Sequence, residues 1–238
     1  MALLEMQNTT FYDNLTPVVN DVSLTIEKGS VTAFLGEPGG GKSTVLKLIS
    51  GVIVPTRGKV LYNGKDISSM NSKDNLAFRK KMAFMFQNSA LWANQSLYQN
   101  LELPLKLHFP DLAPEELDTR IKEVAQLVEF HKSLSLRPAA LSTGEQKRIA
   151  LARALICKPE ILFLDEPTES LDEKTAMQII KILTEFCAQE NTLIYVSHDY
   201  AFINAFKNDK YYFAKGTIVD KILLNDPYQD YQEDYDEI

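Results

Sequence analysis

Val31-Thr32-Ala33-Phe34-Leu35-Gly36-Glu37-Pro38-Gly39-Gly40-Gly41-Lys42-Ser43-Thr44 is the stretch that decides the fold. Its first five residues are apolar and β-rich, and Gly36 to Ser43 fits the pattern GxxxxGK[ST]. Thr44–Ser50 then carries Val45, Leu46, Leu48 and Ile49 at helical positions, and Gly51 closes it. Strand, glycine loop and helix in this order form the context a phosphate-cradling loop requires. The glycines let successive backbone N–H groups turn inward, and the helix N-terminus adds partial positive charge. Gly36, Glu37, Pro38, Gly39, Gly40, Gly41, Lys42, Ser43 and Thr44 are therefore the candidate nucleotide-binding residues. Lys42 supplies a full charge to the β- and γ-phosphates, and the Ser43 hydroxyl suits Mg²⁺.

Two further apolar runs, Ile161–Leu164 and Thr192–Val196, have the character of strands buried on both faces of a parallel sheet. The first ends in Asp165-Glu166 and the second in Ser197-His198-Asp199. Ligands of open α/β sheets bind beyond the carboxyl ends of strands. Asp165 is thus placed for Mg²⁺, and Glu166 to polarise a water for attack on a γ-phosphate. The pair taken alone equally suits capping of the next turn.

Around this centre the spacing predicts an α/β core. Val22, Leu24 and Ile26 alternate with polar residues. Lys59–Tyr62 runs into the hairpin signal Asn63-Gly64, and Met82–Phe86 is a short apolar run. Helices are expected from Pro114 through Val128, from about Gly144 to Cys157, and from about Glu173 to Gln189. The segment from about 88 to 158 reads as a helical insertion. Tyr211–Ala214 and Thr217–Val219 read as a closing hairpin.

Of the 238 residues, 45% are hydrophobic and 24% charged, the balance of an ordinary globular protein. No apolar run reaches the roughly 18 residues a membrane span needs. The stretch MALLEMQNTT has no basic n-region and no cleavable apolar run, so export is not expected. Cys157 and Cys187 form no CxxC pair and read as buried thiols in a reducing compartment. The net charge is −7, but six of the 32 acids fall within 225–238, which holds no Lys or Arg. The body is therefore nearly neutral, with no basic stripe for a phosphodiester backbone, and nucleic acid is not an expected partner.

Taken in order, the phosphate loop, Gln87 after Phe86, Leu141-Ser142-Thr143-Gly144-Glu145-Gln146, ILFLDEPT, Ser170-Leu171-Asp172 and His198 resemble an ABC-transporter ATPase from about Leu4 to Lys221. The resemblance implies a P-loop NTPase fold with an N-terminal antiparallel β-subdomain and an inserted helical subdomain. It implies one nucleotide-binding domain over 1–224, followed by an acidic tail over 225–238. The ligands would be ATP and Mg²⁺, with Ser43, Gln87 and Asp165 toward the metal. Gln87 would sense Mg²⁺ and the attacking water, and His198 would contact the γ-phosphate. Asp172 would lie in the loop that crosses to a sister subunit. An aromatic before the first core strand stacks on adenine in this family. Tyr12 is the first choice and Phe11 the second, the alternative being a core aromatic of the β-subdomain.

The segment Leu141–Gln146 departs from the family's usual LSGGQ, with Thr143 for Gly and Glu145 for Gln. Ser142-Thr143-Gly144-Glu145 is also an S-x-x-E capping box, so Ser142 should cap the helix that follows. The capped end, through Ser142 and Gly144, would face ATP held by a second copy of the chain. Thr143 adds bulk there and Glu145 adds negative charge, so a modest rate is expected.

The family resemblance also implies an integral membrane permease as partner and a peripheral place on the cytoplasmic face of the inner membrane. Gln87–Trp92 and Ser96–Leu105 resemble the Mla-type (mammalian-cell-entry) lipid-transport ATPases of diderm bacteria. ATPases of lipoprotein-release and cell-division complexes share the later part and remain alternatives. Leu91, Trp92 and Tyr98 are candidates to line a groove for a permease helix, or else to pack the helical subdomain. Tyr228, Tyr231, Tyr235 and Ile238 recur at helical spacing among the tail's acids, which suits docking on the sister copy or plain solubilisation. A soluble ABC protein acting on DNA or ribosomes is disfavoured by the single cassette and by the roughly hundred residues between Lys42 and Ser142. A non-hydrolysing regulator is disfavoured by the presence of both Glu166 and His198.

Overall fold

A computed structural model describes residues 2–224. The Tyr-rich acidic tail, with its docking expectation, lies outside the described residues. Strands β1 (Ala2–Asp13) and β2 (Thr16–Glu27) form a long antiparallel ribbon. Next come β3 (Val31–Gly36), the glycine loop and α1 (Lys42–Ile49). The chain then returns to the free edge of β1 with β4 (Arg57–Tyr62) and β5 (Lys65–Asp66). Asn63 and Gly64, at φ of 48° and 76°, make the turn between them, as two left-handed residues in a two-residue hairpin must.

Helix α2 (Ser72–Lys81) leads into β6 (Met82–Met85). The helical insertion contains α3 (Leu97–His108), α4 (Pro114–Leu127) and α5 (Thr143–Leu155). After it come β7 (Ile161–Asp165), α6 (Glu173–Cys187), β8 (Thr192–Val196), α7 (Tyr200–Asn204), β9 (Asp209–Ala214) and β10 (Thr217–Ile222). The sheets are β2-β1-β4-β5, wholly antiparallel, and β10-β9-β3-β8-β7-β6, parallel except for β10.

Side chains of the parallel strands alternate between two cores. Leu162, Leu164, Leu193 and Tyr195 face the helical side, whereas Ile161, Phe163, Ile194 and Val196 face α1 and the antiparallel sheet. Burial on both faces explains why these strands read as continuous apolar runs. Two helices have no clear signature in the sequence. In α2 only Phe78 is buried, so no apolar stripe marks it. In α3 an interior proline, Pro104, removes one helical N–H. Packing of Leu97, Leu101 and Leu105 and a Ser96–Gln99 capping box hold α3 nonetheless.

Candidate active site

Strands β3, β7 and β8 end level with one another. Phe34 of β3 and Asp165 of β7 both pair with Val196 of β8, so the glycine loop, Glu166 and His198 all leave the sheet at one edge. Gly36 is required for the exit from β3. At its φ of 119° a Cβ would come within 2.1 Å of the Phe213 carbonyl of the neighbouring strand. Lys42 is buried and folds back over its own loop, donating to the carbonyls of Gly36 and Glu37 at 2.8 Å each. Burial lowers its ammonium pKa, and the charges of Glu166 and Asp165 work in the opposite direction. The loop therefore presents a cation with N–H groups at the head of α1.

Ser43, beside Lys42, donates its hydroxyl to Asp165 Oδ1 at 2.7 Å. Asp165 is buried, and desolvation raises its carboxyl pKa against the Ser43 hydrogen bond. Glu166 follows in a left-handed conformation, φ 48°. Its N–H donates to the Val196 carbonyl at 3.0 Å, and its Oε2 accepts from the His198 N–H at 3.2 Å. His198 Nε2 stands 3.5 Å from Glu166 Oε1. Burial is the leading cause raising the Glu166 carboxyl pKa, with His198 pulling it back. An anchored, partly desolvated carboxylate beside an imidazole can accept a proton from water.

Gln87, just past β6, donates from Nε2 to Glu169 Oε2 at 2.9 Å. This bond brings Gln87 to the loop that follows Asp165-Glu166. Sequence reasoning misses Glu169, and it misses Lys147 of α5, which donates to the main-chain carbonyl of Glu166. No spacing rule marks either position. Asp172 caps α6, accepting the N–H of Thr175 at 2.9 Å and its hydroxyl at 2.8 Å. Those hydrogen bonds lower its pKa.

The expected capping box at α5 is present. Ser142 Oγ accepts from the Glu145 N–H at 3.3 Å, and Glu145 Oε2 accepts from the Ser142 N–H at 3.0 Å. The Glu145 charge is met by Lys132 at 2.7 Å, and that hydrogen bond is the main cause lowering its pKa. Gly144 packs toward Leu171 and Thr175, so the head of α5 abuts the loop bearing Asp172. The two aromatics near the end of β1 separate clearly. Phe11 packs on the β-subdomain core, whereas Tyr12 is outside that core and pairs with Pro17, next to Val18. The Val18 carbonyl crowds Gly41, so the ribbon carries Tyr12 to the rim of the glycine loop.

A groove of about 300 Å³ runs between β6 and the helical insertion, lined by Phe84, Phe86, Trp92, Pro104, His108 and Arg153 among others. Of Leu91, Trp92 and Tyr98, Trp92 lines this groove. Leu91 and Tyr98 instead pack against the helical core. The buried Asn100 holds this loop, its Oδ1 accepting the Trp92 N–H at 2.8 Å, and the Trp92 side chain is exposed. Both cysteines are partly buried, and desolvation pushes their thiols up to about 11. Among the described residues no helix is long and apolar enough to cross a membrane.

Fold and loop together define a P-loop NTPase. A family model for the ABC transporter family matches residues 19–169, which settles the class more narrowly. The chain is 36% identical over 189 residues to the ABC transporter ATP-binding protein YtrE of Bacillus subtilis, covering 79% of this chain and 81% of that one. It is 33% identical over 198 residues to the intermembrane phospholipid transport ATP-binding protein MlaF of Escherichia coli, covering 83% and 73%. With the methionine import ATP-binding protein MetN of Clostridium acetobutylicum it shares 34% over 197 residues, or 82% of this chain and 61% of that one. Among solved structures, a dimeric post-hydrolysis state of the ATP-binding cassette MJ0796 with ADP and Pi superposes with a TM-score of 0.87. Sequence identity there is 27%, with 94% of this chain and 99% of that one covered. The chain belongs to the ABC transporter family and is one of its ATP-binding subunits, an ATPase.

Proposed function

We propose that this chain hydrolyses ATP as a homodimer on the cytoplasmic face of the inner membrane, and so powers a separate permease that moves phospholipid between bacterial membranes. The observation that carries the hydrolytic part is the common level at which β3, β7 and β8 deliver Lys42-Ser43, Asp165-Glu166 and His198. Residues 1–224 act as one nucleotide-binding domain, with the helices of about 88–158 as its helical subdomain.

Lys42 exchanges the carbonyls of Gly36 and Glu37 for the β- and γ-phosphates, and Tyr12 stacks on adenine. Ser43 and Asp165, already hydrogen-bonded to one another, fit a hard divalent cation, and Gln87 adds a side-chain carbonyl. Among the described residues no cluster of three or more His, Cys, Asp or Glu is gathered to enclose a metal. Mg²⁺ needs none, because it keeps waters and binds chiefly through one or two protein oxygens and phosphate. When bound it neutralises phosphate charge. Glu166 accepts the proton of the attacking water, and His198 hydrogen-bonds the γ-phosphate. Across the dimer, Ser142 and the capped head of α5 complete the phosphate shell of the partner's ATP, with Asp172 nearby.

Permease docking is supported by the groove that exposes Trp92 beside Phe84 and Phe86. The phospholipid reading is supported by the Gln87–Leu105 stretch and by the similarity to MlaF. Gentle detergent extraction and capture on this subunit would test it. A permease that accelerates lipid exchange between vesicles is expected. A permease for an amino acid or a lipoprotein would overturn the lipid cargo and leave the ATPase standing. For hydrolysis, purified protein with Mg²⁺ should release phosphate, and Glu166→Gln should bind ATP without releasing it. Wild-type turnover in that variant would remove Glu166 from its role.

A further inference from the structure

Lys147 lies on α5, about one and a half turns beyond Ser142, and is only 2% exposed. Burying an ammonium is costly, and one main-chain carbonyl is a poor return for it. The carbonyl it holds, however, is that of Glu166. Glu166 sits at φ 48°, a left-handed conformation that a residue with a side chain keeps only when its surroundings over-determine it. Anchors at its N–H and its C=O do so here. The N–H of Glu166 donates to Val196 on β8, and its C=O accepts from Lys147 on α5 and, more weakly at 3.4 Å, from the N–H of Glu169. With both flanking peptides fixed, the side chain is aimed at His198, whose N–H it meets at 3.2 Å. Burial lowers the Lys147 pKa, while Glu169, Glu166 and Asp165 favour its charged form.

We infer that Lys147 is a positioning residue, which sets the Glu166 carboxylate for catalysis and ties that setting to the seating of the Ser142 end of α5. The inference rests on the proposed role of Glu166 as the base. Helix α5 is a rigid rod with Ser142 at its head and Lys147 on its buried side. Seating the head against a sister nucleotide therefore fixes, through one side chain, the peptide that aims the base. Hydrolysis then follows closure rather than preceding it.

The test uses the full chain, with Glu166→Gln alongside. Lys147→Met removes the donor and keeps the length. It should bind ATP within about twofold of wild type and form the ATP-dependent dimer, yet release phosphate at least about tenfold more slowly, because small misplacements of a reacting group are this expensive. The dimer should persist correspondingly longer. Lys147→Arg, which keeps a cationic donor, should recover most of the lost rate. Turnover within about twofold of wild type in Lys147→Met would overturn the inference. So would a fall matched by equal loss of ATP affinity or dimer, or equal loss in the Met and Arg variants. If Lys147→Met does not fold, Lys147→Gln takes its place with the same expectations. Wild-type turnover in Glu166→Gln would instead bring down the reading of Glu166, and the inference with it.

Discussion

Removing the guanidinium of Arg153 should loosen the loop after Gln87 without touching the nucleotide. Arg153 donates to the carbonyls of Ala90 at 2.8 Å and Ser89 at 2.9 Å, and sits 5.0 Å from the centre of the Trp92 ring. Ser89 and Ala90 are both left-handed, at φ 62° and 43°. Each such residue costs roughly 1–2 kcal/mol, so the loop holds its shape only because it is clamped. Arg153→Ala leaves the buried Ser89 carbonyl unmet, at about 1–3 kcal/mol, and forfeits a cation–π contact of about 0.5–1 kcal/mol. Relaxation of the two strained residues returns part of this, leaving a net loss of about 2 kcal/mol. For a chain of this size that lowers Tm by about 4–8 °C. The larger effect is on the loop. Trp92 is the single tryptophan, so its emission reports this site alone. Emission should shift to the red and iodide quenching should rise, with ATP affinity unchanged and permease co-purification lost. Unchanged emission and quenching in a folded Arg153→Ala protein would refute the clamp.

Other expectations follow from the same geometry. Thr143→Gly, at the exposed head of α5, should raise turnover severalfold, and an unchanged rate with unchanged dimerisation would show that its bulk costs nothing. Lys132→Ala should bare the Glu145 charge and weaken ATP-driven dimerisation, and adding Glu145→Gln should restore it. If the single and double variants dimerise alike, the pair has no electrostatic role. Because burial holds the Glu166 carboxyl above the usual range, the base is protonated, and kcat lost, at higher pH than an exposed glutamate would give. An acid limb of the kcat profile at or below ordinary glutamate values would contradict this. Gly36→Ala should abolish ATP binding, since a Cβ there collides with the Phe213 main chain, and retained affinity would speak against so close an approach of the loop to β9.

The edge at which β3, β7 and β8 end together is legible in the sequence because its strands announce themselves. Burial on both faces makes β3, β7 and β8 unbroken apolar runs, and each ends in residues with obvious phosphate chemistry. The capping box at Ser142 is equally plain, being a local pattern. What escapes a linear reading is set by tertiary contact. Lys147 looks like any helical lysine until α5 is laid behind Glu166. Glu169 matters only because Gln87 arrives from a distant strand to meet it. Phe11 and Tyr12 are neighbours in the sequence, and only the register of the ribbon assigns one to the core and the other to the loop's rim. Leu91 and Trp92 are likewise adjacent, and only the packing puts one on the helical core and the other on the groove.

Sedimentation of the Glu166→Gln variant with Mg²⁺ and ATP tests the central claim most directly. One chain has a mass of 26.9 kDa, and closure of two copies around trapped ATP predicts a stable species of twice that mass, which ADP does not produce. A variant that binds ATP to saturation and still sediments as a single chain would contradict the account.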